Sequence, residues 1–195
     1  EVEEVLWHGK DYSTKAAKES SPNPHSHPTI TPVNLAQDIL GIPFRNPTVL
    51  ASGIWGITAS SWRRVAACGA GAVTTKSLWP YPHEGNPNPT IISTDSWTLN
   101  AVGVPDAGPE KAKEEIGEYM KEHPVPFIAN VIGLRAGEFA AITRELVPLA
   151  PDLFEVNLST PTFQKLLGHL PSENITEAQA ITQAVKEVAG SIPVF

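Results

Sequence analysis

One stretch of the chain decides its fold. Residues 127–157 read FIANVIGLRAGEFAAITRELVPLAPDLFEVN. Phe127–Val131 and Leu153–Asn157 are short β-rich runs, and the apolar residues between Phe139 and Leu149 recur at helical spacing. A strand, an amphipathic helix and a second strand form a βαβ unit, whose strands are parallel because the helix carries the chain back across the sheet. The stretch therefore predicts an α/β fold with a parallel sheet.

Two more βα units precede this stretch. Thr48–Ala51 and Ala72–Lys76 are the predicted strands, and helices are predicted over Ser60–Cys68 and from Pro109 onward. Trp79–Gly108, between the second strand and the second helix, is predicted to be a long loop. Sequential βα units of this kind place parallel strands around one sheet.

Weaker patterns flank these units. Val33–Asn46, with a turn at Gly41, is predicted to be a small hairpin that plugs one end of the sheet. A helix is predicted from Thr176, where Gln179 completes a capping-box pattern, and Ile192–Phe195 begins a further strand. A parallel sheet that stops within a strand leaves an unpaired edge, so we expect the fold to continue beyond this strand.

Composition excludes several classes of protein. The 195 residues carry a net charge of −7, which argues against a nucleic-acid surface because phosphate binding needs clustered Lys and Arg. The longest apolar runs are too short to cross a bilayer. Cys68 is the single cysteine, so no internal disulfide can form, and we expect a small buried thiol in a protein of the reducing cytoplasm.

The first part of the chain differs from the rest. Residues 1–32 are polar and dense in proline and turn formers, so we predict an extension there and a folded part over residues 33–195. His8, His25 and His27 in the extension and His83 in a loop raise the question of a metal site, but they lack the fixed spacing of metal ligands. We expect solvated loop histidines and no metal.

Polar residues and glycines follow the predicted strands. The strands end at Ser52-Gly53, Lys76-Ser77, Asn130 and Asn157. The carboxyl ends of parallel strands are where α/β enzymes gather their reacting groups, and a lysine with two asparagines offers several hydrogen-bonding positions. A shared polar ligand site is therefore predicted. The strand-to-helix turns lack a G-x-G-x-x-G fingerprint, which argues against a Rossmann dinucleotide site.

Several ordered motifs resemble one enzyme family. They are Asn46–Gly53, Thr74–Ser77, Glu84–Pro87, Leu99–Val104, Ala129–Gly133 and Asn157–Pro161. In this order and at this approximate spacing they resemble class 1 dihydroorotate dehydrogenases. The resemblance implies that residues 33–195 are the N-terminal part of an FMN-binding (β/α)₈ barrel, or TIM barrel, with about four βα units and the start of a fifth strand. On that basis we expect the 195 residues by themselves to be inactive.

The resemblance also implies which residues form the site. FMN would be held by Ala51, Ser52, Gly53, Lys76, Ser77, Asn130 and Asn157. The substrate would be held by Lys76, Asn100, Ala101, Val102, Gly103, Val104, Asn157 and Thr162. Lys76 would contact both FMN and the substrate. A lysine suits this position, because a fixed positive charge stabilises electron density on a reduced flavin and attracts a substrate carboxylate.

Three positions depart from the family pattern. Where class 1 enzymes carry Asn-x-Ser-Cys-Pro-Asn, with cysteine as the base, this chain reads Asn157-Leu-Ser-Thr-Pro-Thr162. Thr160 therefore stands where the base should be, and we predict that Thr160 and Lys76 are the catalytic residues, since a hydroxyl can relay a proton to a neighbour or to water. Thr162 replaces a substrate-binding asparagine, and Asp106 also stands where the family usually has asparagine.

The resemblance implies oxidation of dihydroorotate to orotate, a step of pyrimidine (UMP) biosynthesis. Two alternatives stay open: a related flavoprotein for another reduced pyrimidine or an enoate, which Thr160 and Thr162 favour, and a flavin-binding protein with little turnover. We expect a cytoplasmic homodimer without membrane or nucleic-acid partners. The polar extension lacks the apolar helices of quinone-using relatives, so we expect the electrons to reach fumarate, or NAD through an iron–sulfur/FAD partner subunit.

Overall fold

The computed structural model describes residues 33–195, so the predicted extension with His8, His25 and His27 lies outside the described residues. The strands are β1 (Gln37–Ile39), β2 (Ile42–Phe44), β3 (Val49–Leu50), β4 (Ala72–Thr74), β5 (Ile91–Ser93), β6 (Thr98–Asn100), β7 (Phe127–Val131) and β8 (Leu153–Val156). The α-helices are α1 (Ala59–Ala67), α2 (Pro109–Met120), α3 (Ala136–Leu146), α4 (Pro161–Leu167) and α5 (Ile175–Ala189).

A parallel four-stranded sheet organises the fold. Its strands lie in the order β3-β4-β7-β8, and each adjacent pair is parallel. The predicted strand at Ile192–Phe195 continues this order beside β8, where the Phe154 amide donates to the Pro193 carbonyl at 2.9 Å and the Phe195 amide donates to the Phe154 carbonyl at 3.0 Å. Parallel strands added in chain order, each after a helix-containing crossover, are the repeat of a (β/α)₈ barrel, so the predicted fold class is confirmed.

The two faces of the sheet have different neighbours, as β7 shows. Phe127, Ala129 and Val131 belong to the core cluster that also contains buried side chains of α1, α2, α3 and α5. Ile128 packs in a second cluster with Phe44 of the β1–β2 hairpin, and Asn130 is its polar neighbour two residues on. This alternation follows from the pleat of a strand, in which successive side chains point to opposite faces. Helices therefore cover one face, and the other face is left for the hairpin and a cavity.

The β1–β2 hairpin turns at Gly41, as predicted, and closes one end of the cavity-bearing face. Gly41 has a φ of 83°, a conformation that glycine adopts without strain. Phe44 is 2% exposed and packs against Ala72, Ile128 and Leu153, which lie at the amino ends of their strands. The hairpin thus lies at the end opposite to the polar strand ends.

An aromatic cluster fixes the first helices on the sheet. Trp62 of α1 meets Tyr119 of α2 and Phe127 of β7 edge to face, with ring centroids 5.7 Å and 5.0 Å away. The Tyr119 hydroxyl donates to the Val125 carbonyl at 3.2 Å, and burial raises the pKa of Tyr119 to about 12. Edge-to-face aromatic pairs add about 0.5–1.5 kcal/mol to the effect of burial.

Two local predictions about α1 and α5 are wrong. The cap of α5 is Asn174, whose side chain accepts from the Glu177 amide at 3.2 Å, and not Thr176 with Gln179. Helical periodicity locates a helix better than it locates the first residue, and asparagine is a stronger N-cap than threonine. Cys68 is exposed and not buried, because it ends α1 at the surface.

Two elements were not predicted. The loop predicted at Trp79–Gly108 contains the antiparallel β5–β6 hairpin, and α4 follows β8 directly. All residues of β5 and β6 are exposed, so no alternation of buried and exposed positions signals them. For α4 the signals were present, since Pro161 opens it and Gly168 ends it with a φ of 79°. Within residues 33–195, no helix is long and apolar enough to cross a membrane.

Candidate functional site

Hydrogen bonds join the ends of three strands. Ser77, which follows β4, accepts a hydrogen bond on its Oγ from the Asn157 Nδ2 at 2.8 Å. The Ser52 Oγ, after β3, lies 3.5 Å from the same Ser77 oxygen. Asn157, after β8, is held by its backbone amide, which donates to the Val131 carbonyl at 3.0 Å. The polar strand ends therefore converge as predicted, with Ser77 between the other two.

Asn130, near the end of β7, carries a buried acceptor without a partner. Its Nδ2 donates to the Glu155 carboxylate, which fixes the orientation of the amide because a carboxylate only accepts. Asn130 is 3% exposed, so water does not reach its side chain, and its Oδ1 has no hydrogen-bond partner among the described residues. An unsatisfied buried acceptor costs about 1–3 kcal/mol, so a ligand N–H at this position would bind favourably. Glu155 was not among the predicted site residues.

Backbone contacts fix Lys76 just beyond β4. Its amide donates to the Gly56 carbonyl at 2.6 Å. A Cβ at position 56 would lie 2.6 Å from that amide nitrogen and 2.7 Å from the Thr74 carbonyl oxygen, so only glycine fits. Burial lowers the pKa of Lys76, and the negative charge of Asp106 raises it in part. The position of the lysine is therefore set by close packing of two loops, and burial and the charge of Asp106 act on its pKa in opposite directions.

Asp106 shares a small cavity of about 340 Å³ with Lys76. The Trp79 amide donates to the Asp106 Oδ2 at 2.8 Å, and two main-chain hydrogen bonds join Asp106 to His83. Burial raises the pKa of Asp106, and the hydrogen bonds from backbone amides lower it. His83 is half-buried with its ring stacked on Trp79 at 4.7 Å, so the prediction of a solvated histidine is wrong here. Residues 33–195 contain no group of three or more side chains that could hold a metal ion.

Two larger cavities meet at the carboxyl ends of the strands. The first, called the inner cavity, has a volume of about 900 Å³ and extends from Phe44 of the hairpin to the polar strand ends. The second, called the loop cavity, has a volume of about 660 Å³ and lies among the β5–β6 hairpin, the segment after β6 and the start of α4. Both cavities are lined by Ser52, Gly53, Lys76, Val104 and Thr160. These shared residues form the boundary between two adjoining sites.

The residues predicted from the resemblance divide between the two cavities. Those predicted to hold FMN all line the inner cavity: Ala51, Ser52, Gly53, Lys76, Ser77, Asn130 and Asn157. Most of those predicted to hold the substrate line the loop cavity: Lys76, Asn100, Ala101, Val102, Gly103, Val104 and Thr162. Asn157 lines the inner cavity alone, so the structure does not bring it to the loop cavity.

Asn86 connects the parts of the loop cavity. Its backbone amide donates to the Val102 carbonyl at 3.1 Å, and its Nδ2 donates to the Ala101 carbonyl at 2.9 Å. The Asn86 Oδ1 accepts from the Lys165 Nζ at 2.7 Å. A Cβ on Gly103, whose φ is 79°, would lie 2.7 Å from the Asn86 amide nitrogen. Asn86 belongs to a recognised motif but was not predicted as a site residue, and Lys165 had no signal because α4 was not predicted.

Thr160 stands where the chain leaves β8 and enters α4. It is the N-cap residue of α4 but makes no side-chain capping bond, so its hydroxyl is not used by the helix. The Thr160 Oγ1 instead donates to the Thr162 Oγ1 at 3.5 Å, a long contact. Because Thr160 lines both cavities, this residue lies at the boundary where a group in one cavity could react with a group in the other.

Comparison with known proteins supports the assignment from the motifs. The family model for dihydroorotate dehydrogenase matches residues 34–195. The chain is 40% identical over 163 residues to the dihydroorotate dehydrogenase B (NAD(+)) catalytic subunit of Methanosarcina mazei, covering 83% of this chain and 51% of that protein. The protein of the same name from Methanocaldococcus jannaschii is 38% identical over 167 residues, covering 83% of this chain and 53% of that protein. The chain thus spans about half the length of these relatives.

A solved structure agrees on the fold. The chain matches a crystal structure of DHODH in complex with ferulenol from Eimeria tenella with a TM-score of 0.69, over 83% of this chain and 46% of that one. The two sequences are 19% identical, so this match concerns the fold alone. The family model and the sequence relatives, together with the two adjoining cavities, lead to one conclusion: the chain belongs to the dihydroorotate dehydrogenase family.

Proposed function

We propose that the protein carrying this chain is an FMN-dependent oxidoreductase that oxidises dihydroorotate to orotate in pyrimidine biosynthesis. The observation that carries this proposal is the meeting of the inner cavity and the loop cavity at Lys76 and Thr160. The inner cavity offers polar strand ends to a planar cofactor, and the loop cavity offers an adjoining space to a small substrate. Membership of the family supports the class of reaction.

The inner cavity fits a flavin. Its proposed contacts are Ala51, Ser52, Gly53, Lys76, Ser77, Asn130 and Asn157. The unpartnered Oδ1 of Asn130 is a buried acceptor, and the imide N–H of a flavin is a donor that it lacks. Bound FMN would supply the hydride acceptor for the reaction. The Lys76 ammonium would stabilise the negative charge that reduction brings into the cavity.

The loop cavity would hold dihydroorotate, and Thr160 would act as the base. The proposed substrate contacts in this cavity are Lys76, Asn100, Ala101, Val102, Gly103, Val104 and Thr162, and Asn157 would contact the substrate from the inner cavity. As the substrate loses a proton and a hydride, the Thr160 Oγ1 would accept the proton from carbon. The hydroxyl proton of Thr160 would pass to the Thr162 Oγ1, 3.5 Å away, and from there to water. We expect this relay to be slower than proton abstraction by a cysteine thiolate.

The names of the relatives support one electron acceptor. Both are called the catalytic subunit of an NAD(+)-dependent enzyme, a name that implies a second subunit in those proteins. For this protein we propose a homodimer that passes electrons to NAD through an iron–sulfur/FAD partner subunit, in the cytoplasm. A membrane quinone is not part of the proposal.

Thr162 favours a second candidate, a flavoprotein that acts on another reduced pyrimidine or on an enoate. An asparagine at this place offers two N–H donors and a carbonyl acceptor in one plane, whereas a threonine hydroxyl offers one donor and one acceptor oxygen on a shorter side chain. A loop cavity that lacks this amide could therefore prefer a substrate with fewer polar groups. A flavin-binding protein with little turnover is the third outcome that the experiment must separate.

The experiment is anaerobic stopped-flow reduction of the flavin in the protein expressed from its native gene. Dihydroorotate and dihydrouracil are mixed separately with the oxidised flavin, and a simple enoate is mixed with the reduced flavin. The flavin absorbance is followed in each case. We expect dihydroorotate to bleach the flavin rapidly. Bleaching by dihydrouracil alone, or oxidation of reduced flavin by the enoate alone, would favour the second candidate, and no reaction with any of them would favour a binding protein.

A further inference from the structure

The loop cavity has an unbalanced charge. Lys76 and Lys165 line it, and none of the described residues that line it is Asp or Glu. The chain as a whole has 21 acidic and 14 basic residues, so a cavity with only cations differs from the average of the molecule. Like charges that face one space raise its positive potential and attract an anion.

Lys165 is held toward this cavity by a neutral partner. Its Nζ donates to the Asn86 Oδ1 at 2.7 Å, and Asn86 is fixed in turn by its bonds to Ala101 and Val102. An ammonium group has three donors, so the bond to Asn86 leaves two for a ligand. Because the partner is an amide, it orients the ammonium group without neutralising its charge.

Other lysines of the molecule behave differently. Lys111, Lys113 and Lys121 each form an ion pair with a glutamate of α2 at the surface. In the described part of the chain, neither Lys76 nor Lys165 forms such a pair within 4.0 Å. The loop cavity therefore holds two ammonium groups that no lining carboxylate pairs, whereas Lys111, Lys113 and Lys121 are already paired with glutamates of α2.

We propose that Lys165 is a second cationic contact for the carboxylate of the substrate and makes the loop cavity selective for anionic ligands. This inference rests on the proposed function and deepens it, because it separates dihydroorotate, which carries a carboxylate, from neutral reduced pyrimidines. Lys76 lines both cavities, so its charge acts on cofactor and substrate together, while Lys165 lines the loop cavity alone. Lys165 is thus a specificity-determining residue for the substrate and not for the cofactor.

The test is the binding of orotate and of its neutral methyl ester at pH 7, measured by calorimetry on the flavin-loaded protein from the native gene. The parent is compared with Lys165→Met and Lys165→Arg. Lys186→Met is the matched control, because Lys186 is an exposed lysine of α5 that lines neither cavity. The measurements are repeated at high salt, which screens charges that remain exposed to solvent.

Lys165→Met is expected to raise the Kd of orotate about tenfold and to leave the Kd of the methyl ester and the flavin content unchanged. Lys165→Arg should keep most of the orotate affinity, and Lys186→Met should change neither ligand. High salt should weaken orotate binding more in the parent than in Lys165→Met.

Equal weakening of orotate and the ester in Lys165→Met, or no weakening of either, would overturn the assignment of Lys165. A parent that binds the ester more tightly than orotate would overturn the selectivity for anions. If dihydroorotate reduces the flavin of the parent, neither result contradicts the proposed reaction. A parent whose flavin is not reduced, but whose orotate binding depends on Lys165, would overturn the proposed function and support the anion site.

Discussion

The inner cavity and the loop cavity are built in different ways. Around the inner cavity, polar side chains stand at strand ends and bond to one another across the sheet, as Ser77 does with Ser52 and Asn157. The loop cavity is lined by exposed strands and loop segments, which Asn86 joins. Of the departures from the family pattern, Thr162 lines the loop cavity alone and Thr160 lies at the boundary of the two cavities. Hydrogen bonds across the sheet thus keep one set of residues in register, whereas loops permit substitution around the loop cavity.

The largest expected effect concerns the boundary between the cavities. Thr160→Val keeps the shape of the side chain and removes the hydroxyl, so it should keep flavin and pyrimidine binding and slow flavin reduction by ~10²- to 10⁴-fold. Thr160→Ser, the control, should keep most of the rate. Thr160→Cys should raise the rate at alkaline pH if the loop supports a thiolate. Stopped-flow reduction across pH measures all three, and a valine variant as fast as the parent would show that Thr160 is not the base.

A second prediction separates the two lysines. Lys76→Met removes a charge that both cavities share, so it should slow flavin reduction by ~10²-fold or more and weaken flavin retention as well. Lys165→Met should change substrate binding alone. Single-turnover kinetics and the flavin content of the purified variants measure both effects. Near-normal reduction in Lys76→Met would mean that Lys76 is only a residue that ends a strand.

A third prediction concerns the rigidity of the strand ends. Gly56→Ala places a Cβ 2.6 Å from the Lys76 amide nitrogen, so the backbone must shift and the free energy of unfolding should fall by about 1–3 kcal/mol. Gly53→Ala is the matched control, because its Cβ would come no closer than 3.9 Å to any atom beyond the adjacent residues. Denaturant unfolding measures both variants. Equal stability of the two would show that the loop after β3 adapts and does not position Lys76.

The smallest expected effect is a shift of pH dependence. Asp106→Asn keeps an acceptor for the Trp79 amide and removes the charge that raises the pKa of Lys76. Burial, which lowers that pKa, is then unopposed, so the pKa of Lys76 should fall and the alkaline limb of activity should move to lower pH. His83, Glu84 and Lys111 line the same small cavity and remain in the variant.

Titration of the Lys76 side chain by NMR measures this shift directly, beside the pH profile of flavin reduction. Asp95→Asn makes the same charge change at an exposed bend between β5 and β6 and should leave both curves unchanged. A Lys76 titration that is identical in Asp106→Asn and the parent would limit Asp106 to a structural role.

The fold was predictable where burial leaves a recognisable apolar pattern in the sequence. Phe127–Val131 was predicted with the bounds that the structure has, because β7 is buried along its whole length. The exposed β5–β6 hairpin was missed, since its residues contact little that would constrain their pattern. The short α4 was missed although Pro161 and Gly168 bound it, because a single buried residue, Phe163, gives no helical period.

The sequence by itself determined the parallel βα fold and the residues at the strand ends, because side-chain period and local turn chemistry are properties of neighbouring positions. The resemblance of its ordered motifs to known proteins determined the family. Only the tertiary structure decided which residues meet. The Oδ1 of Asn130 points away from Glu155 and lacks a partner within residues 33–195 because the Nδ2 of the same amide donates to Glu155. The position of Lys165 depends on Asn86, which is 79 residues away in the chain. Such contacts arise from how separate loops pack on a common sheet, and no local pattern records that packing.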